Sequence, residues 1–133
     1  MSESQLLTLQ LRTPEDIVRM RRATRDQAIA LAFSLVEQTK IVTAASEIGR
    51  NTILYGGGGE VTLQAITEAT RRGLRLVFSD RGPGIADIAL ALTDGHTTGI
   101  GLGLGLGGAQ RLCNEFSIES TSGGTRVTIA RWK

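Results

Sequence analysis

Polar and apolar positions change period several times along the 133 residues, and each change marks an element. Residues 6–11 alternate weakly and predict a short first strand. Thr13-Pro14-Glu15-Asp16 then predicts a helix start. Thr13 can cap, Pro14 loses nothing at the first helical position, and the two acids suit the positive end of the helix dipole. This helix should run to about Phe33. Ser34-Leu35-Val36-Glu37 has the spacing of a capping box and opens a second helix. Its stripe of Ile41, Ala44, Ala45 and Ile48 repeats at helical period and should face the core. The helix must stop near Tyr55, because the glycines 56–59 cannot sustain it.

The second half reads as strands and loops. Residues 60–69 and 74–79 are rich in β-formers, and Arg71-Arg72-Gly73 between them predicts the turn of a hairpin. A loop follows over 80–84, a short helix over 86–92, a glycine-rich stretch over 95–108 and a helical piece over 109–113. Residues 116–120 and 125–130 make a last hairpin across Ser122-Gly123-Gly124. No linker or internal repeat interrupts the chain, so residues 1–133 are expected to form a single domain. The order β-α-α-β-β-(α)-loop-α-β-β predicts an α/β (α+β) sandwich, with a mixed, mostly antiparallel sheet and helices packed on one face.

Composition narrows the function classes. A formal charge of +2 is too small to argue for nucleic acid or a membrane surface. The densest basic cluster, Arg19, Arg21, Arg22 and Arg25, reads first as a solvated helix face and second as a surface for an acidic partner. Cys113 is the one cysteine, which excludes an intrachain disulfide and any zinc-site spacing; it reads as a small packing residue. No signal-peptide pattern and no apolar run near the ~18 residues of a membrane span is visible, so a cytoplasmic location is expected.

Three motifs carry chemistry. In Gly99-Ile100-Gly101-Leu102-Gly103-Leu104-Gly105-Leu106-Gly107-Gly108, dense glycines let backbone N–H groups approach phosphate oxygens, with a helix start just beyond. Gly103, Gly105 and Gly108 formally satisfy G-x-G-x-x-G. No strand precedes them and too little chain follows for a dinucleotide half. A Walker loop is excluded because neither Lys40 nor Lys133 follows a glycine. In Asp80-Arg81-Gly82-Pro83-Gly84 a carboxylate ends an apolar strand, where it could accept from an exocyclic amino group such as that of adenine. Glu47 and Asn51 are four apart and share a helix face; together they could hold a base and a ligand for Mg²⁺, which needs only one or two protein oxygens.

The order of these motifs, followed by Gly124-Thr125 before the last strand, resembles the GHKL ATPases over about residues 35–130. Within them the chain is most similar to the anti-sigma-factor serine/threonine kinases. The likeness rests on the run Thr43-Ala44-Ala45-Ser46-Glu47-Ile48-Gly49-Arg50-Asn51 with Tyr55 and glycines after it. It also rests on Asp94-Gly95, Arg111-Leu112, Glu115-Phe116-Ser117-Ile118 and the Gly-Thr to Trp132 ending. The resemblance implies a Bergerat ATP-binding fold, ATP and Mg²⁺ as cofactors, and phosphorylation of a Ser or Thr on a protein. Asn51 would coordinate Mg²⁺ and Glu47 would act as base or orienter. Asp80 would accept from adenine, with Gly82 and Gly84 shaping the pocket and Ile85 against the ring. Gly101, Gly103 and Gly105 would close over the phosphates, and Thr125 would reach adenine.

The same resemblance implies as partner a STAS-type anti-sigma-factor antagonist or stressosome scaffold, with a PP2C-type phosphatase as a second partner. Two rival functions are a sensor-histidine-kinase ATPase domain and an ATP-dependent anti-sigma factor that sequesters a sigma factor. The first lacks support in a chain with no upstream phosphoacceptor helix. No Arg or Lys lies between Asp94 and Arg111. The cation facing the γ-phosphate is therefore sought elsewhere, at Arg50 or Arg111. His96 reads as a loop residue.

Overall fold

The computed structural model describes residues 6–84 and 105–133. Along the chain these form β1 (Leu7–Leu11), α1 (Pro14–Ala30), α2 (Leu35–Leu54), β2 (Gly59–Glu68), β3 (Arg71–Asp80), α3 (Gly105–Arg111), β4 (Glu115–Thr121) and β5 (Gly124–Trp132). The expected helix over 86–92, Ile85, His96, and Gly101 and Gly103 lie outside the described residues.

Both long helices start where their caps dictate. Thr13 accepts from the Asp16 N–H, and the Asp16 carboxylate accepts from the Thr13 N–H at 3.1 Å, a complete capping box. Ser34 and Glu37 repeat the arrangement at the head of α2, at 3.1 and 2.8 Å. Helix α1 ends at Ala30, about a turn earlier than its pattern suggests. Ala32 adopts φ 64, and the Phe33 and Ala32 N–H groups bond back to the carbonyls of Ala28 and Ile29. That is a Schellman ending in which alanine takes the place usually held by glycine, while buried Phe33 supplies the apolar contact.

Five strands form one sheet in the order β1-β2-β3-β5-β4. All four ladders are antiparallel, so the expected mixed pairing is corrected. Two helices, α1 and α2, fill the connection between β1 and β2, which returns the chain in the opposite direction; a parallel neighbour would need a single crossover. The β2–β3 turn also differs. Glu68 pairs with Arg71, so the turn is Ala69-Thr70, and Arg71-Arg72-Gly73 lie inside β3. Gly73 marks a close approach instead, since a Cβ there would lie 2.8 Å from the Trp132 ring. Helix α3 begins at Gly105, four residues before the expected piece, and rests on α2 through buried Leu106 and Ala109.

Alternation along the strands sends Val61, Leu63, Leu74, Leu76, Phe78, Val127 and Ile129 to one face, where they join Met20, Ala28, Ile41, Ala44, Ala45 and Ile48 in one buried cluster. Each large aliphatic side chain there contributes about 1.5–3 kcal/mol. The expected placement of the helices on one face is therefore realised. The opposite face carries Thr62, Gln64, Arg75 and Thr128, with Arg75 donating across the strands to Gln64 at 3.3 Å. Among the described residues no helix is long and apolar enough to cross a membrane.

Candidate functional site

Helix α2 is held by its buried side: Ile41, Val42, Ala44, Ala45, Ser46, Ile48, Gly49 and Thr52 all lie out of solvent. That burial fixes its rotation and leaves Glu47 and Asn51 half-buried, one turn apart on the same face. Arg50, exposed beside them, donates from Nη1 to Glu47 Oε1 at 3.0 Å. The Asn51 carbonyl accepts the N–H groups of Tyr55 and Gly56, at 2.9 and 3.4 Å, which closes the helix. Its side-chain amide has no hydrogen-bond partner among the described residues, so its oxygen is available to a ligand.

The turn after α2 delivers the chain to Asp80. Gly59, the first residue of β2, pairs with Asp80, the last residue of β3. Gly56 lies against the Asp80 carboxylate so closely that a Cβ there would sit 2.5 Å from Oδ2. Gly82 in turn lies against Gly56, where a Cβ would come within 2.7 Å of the Gly56 Cα. These contacts require residues without side chains. Asp80 Oδ1 accepts from the Gly82 N–H at 2.9 Å and from the Thr125 N–H at 3.2 Å. Both bonds fall on one oxygen, which among the described residues leaves Oδ2 as an acceptor for a ligand. The Thr125 hydroxyl shares a hydrogen bond with Ser120 at 2.8 Å. Gly84, at φ 83, lies against the Thr121 carbonyl.

Contacts thus join Asp80, Gly82, Gly84 and Thr125 to one another and to Gly56 in the turn after α2, while Glu47 and Asn51 lie on α2 itself. Gly105 opens α3 and is part of a helix. Two neighbours escaped the sequence reading. Gly56 was one of four equivalent glycines until folding set it against Asp80, and Ser120 gave no signal at all. A hollow of about 390 Å³ lined by Ser79, Asp80, Glu119, Thr121, Thr125 and Arg126 also borders Asp80. The strand register places Ser79, Glu119 and Arg126 on the face away from α2, so this hollow is separate from the Glu47–Asn51 face. Burial pushes the Cys113 thiol up to about 12, in keeping with a packing role.

Helix α2 carries a carboxylate and an amide one turn apart, and a second carboxylate, fixed by backbone N–H groups, lies beyond the turn that follows the helix. Residues 11–131 match the histidine kinase-like ATPase domain. The chain belongs to the histidine kinase-like ATPase family. Within this family it is 40% identical to the serine/threonine-protein kinase RsbT of Bacillus subtilis, over 93% of this chain and 94% of that one. It is 30% identical to the anti-sigma F factor of Clostridium novyi, over 74% and 73% of the two chains. Given the near full-length relationship to RsbT, the protein is an ATP-using serine/threonine-protein kinase of the histidine kinase-like ATPase family.

Solved structures share the fold. The RsbU and RsbW domains of a Mycobacterium tuberculosis protein align at TM-score 0.67 and 20% identity, covering 98% of this chain and 33% of that one. The chain thus spans about a third of that structure. The mycobacterial sensor histidine kinase MprB aligns at TM-score 0.56 and 13% identity, over 96% and 97% of the two chains.

Proposed function

We propose that this kinase transfers the γ-phosphate of Mg-ATP to a serine or threonine of a STAS-type partner, an anti-sigma-factor antagonist or stressosome scaffold, in bacterial stress signalling. As a second output, it activates a PP2C-type phosphatase. The observation that supports this best is the pairing of Glu47 and Asn51 on one face of α2, with Asp80 held beyond the end of the same helix.

In this reading Asp80 Oδ2 accepts from the adenine amino group, Gly82, Gly84 and Ile85 shape the adenine pocket, and Thr125 reaches the base through water. Gly101, Gly103 and Gly105 lie over the phosphates. Asn51, with its amide oxygen uncommitted among the described residues, is suited to hold Mg²⁺. When bound, that ion neutralises charge on the phosphates. The partner's hydroxyl oxygen bonds to the γ-phosphorus as the bond from that phosphorus to the β–γ bridging oxygen breaks. The bridging oxygen keeps the electron pair and leaves with ADP. The hydroxyl proton passes to the Glu47 carboxylate.

Glu47→Gln and Asn51→Ala separate the two roles. Glu47→Gln should lower phosphate transfer to the partner by roughly 10²–10⁴-fold, the usual contribution of a positioned acid or base, without weakening ATP binding. Asn51→Ala should weaken both. Native transfer by Glu47→Gln would remove Glu47 from catalysis. The 30% relationship to an anti-sigma F factor supports a second reading, in which the chain sequesters a sigma factor. Affinity capture with ATP present distinguishes the two: a STAS-type domain supports the switch and a sigma factor supports sequestration.

A further inference from the structure

The proposed site is rich in negative charge. Glu47 and Asp80 are carboxylates, and the nucleotide brings a triphosphate whose γ-phosphoryl oxygens carry charge throughout transfer. A site of this kind needs a cation aimed at those oxygens. The glycine-rich segment contains neither Arg nor Lys between Asp94 and Arg111. Arg111 closes α3, a different element from the one that carries the acid–amide pair. Arg50 stands three residues from Glu47 and Asn51 four, so each is a helix-surface neighbour of Glu47 and the two flank it. The Arg50 guanidinium already reaches that carboxylate: it donates to Glu47 Oε1 at 3.0 Å, and its side chain retains 46% of its exposure.

We infer that Arg50 is the γ-phosphate ligand of this kinase and that it exchanges partners during the cycle: it holds Glu47 when nucleotide is absent and turns to the γ-phosphate when ATP arrives. This rests on the reading of Glu47 and Asn51 given above. The exchange has a direct physical motive. A phosphate oxygen offers the guanidinium a stronger, charge-assisted and geometrically matched acceptor than a partly solvated carboxylate. Departure of Arg50 frees Glu47 to accept the hydroxyl proton, so the base is released only when there is a phosphate to transfer. ADP lacks the γ-phosphate and leaves the Arg50–Glu47 pair in place. Arg50 therefore reports which nucleotide is bound.

Titration calorimetry of the full chain with Mg-ATP and with Mg-ADP tests this, using the native protein, Arg50→Gln, Arg50→Lys and Glu47→Gln. Arg50→Gln should lose roughly tenfold to a hundredfold in ATP affinity, the usual effect of a hydrogen bond to a charged group, with ADP affinity unchanged. The unchanged ADP affinity also shows that the variant is folded. Arg50→Lys keeps the charge without the fork and should fall between the two. Glu47→Gln replaces the competing carboxylate with a neutral, weaker acceptor and should bind ATP a few-fold more tightly while leaving ADP unaffected. A native ATP-to-ADP ratio in Arg50→Gln, or an equal loss for both nucleotides, overturns the inference. Neither result depends on phosphate transfer, so failure here is distinguishable from failure of Glu47 as base.

Discussion

Helices α1 and α2 begin alike and end in different roles. Each opens with a capping box, Thr13 with Asp16 and Ser34 with Glu37, and they run for 17 and 20 residues. Helix α1 buries Met20, Thr24 and Ala28 and turns Val18, Arg21, Arg22 and Ile29 outward. Helix α2 buries eight residues, several of them small, and Gly49 lets α1 come so near that a Cβ there would meet Ile17 Cδ1 at 3.1 Å. Local capping sets where a helix starts, whereas burial sets how well its orientation is held. A phosphoryl-transfer site requires groups placed to a fraction of an ångström, and its candidates sit on the helix that the core restrains.

The contrast can be broken most directly in the core. Ile48→Ala, at a side chain 1% exposed in α2, should cost about 2–5 kcal/mol in urea unfolding. Val18→Ala, at a position 57% exposed in α1, should stay within about 0.5 kcal/mol. Equal losses would show that α1 is held as firmly as α2. A smaller effect should reveal what the two helices share. Thr13→Ala and Ser34→Ala should each lose about 1 kcal/mol, and both caps should weaken in acid. The Arg19 guanidinium and the Arg12 N–H hold Asp16 at about 2, and the Ser34 N–H lowers Glu37. Both folded values are depressed, so their stabilisation is present above the ordinary carboxylate range and fades as pH falls through it, for Asp16 between 3.8 and about 2. Asp16→Asn should flatten that part of the acid unfolding curve followed by circular dichroism. The smallest change sharpens the description of where α1 stops. Ala32→Gly relieves a left-handed alanine and should raise stability by about 0.5–1 kcal/mol, read as a shift in the urea midpoint. An unchanged or lower midpoint would mean that Ala32 carries no strain.

Much of this architecture was legible because it is written in short-range signals. Thr13-Pro14 and Ser34 to Glu37 are local, and they place both helix starts correctly. The two hairpins are legible for the same reason. Gly73 misled because glycine has two meanings, a turn or a close approach. Only the Trp132 ring, brought in by the β3–β5 ladder, selects the second. Ala32 misled because nothing about alanine announces positive φ. Glu47 and Asn51 share a face by spacing alone. The bond from Thr125 to Asp80 spans 45 residues and has no local signature, so Thr125 could be proposed only through family likeness.

Trp132 has one more consequence. Its ring lies over the Gly73 backbone, with the Arg71 guanidinium 4.1 Å from its centroid and its indole N–H donating to Glu115 at 2.7 Å. It is the only tryptophan in the chain, so indole emission, excited beyond the absorption band of Tyr55, comes from a single fluorophore. Asp80 lies seven residue steps along β3 from Gly73, roughly 23 Å at ~3.3 Å per residue. The emission should therefore stay quiet while nucleotides exchange and change sharply when β5 detaches from β3. The protein carries an optical gauge of its sheet, and a binding assay will need a label placed nearer to α2.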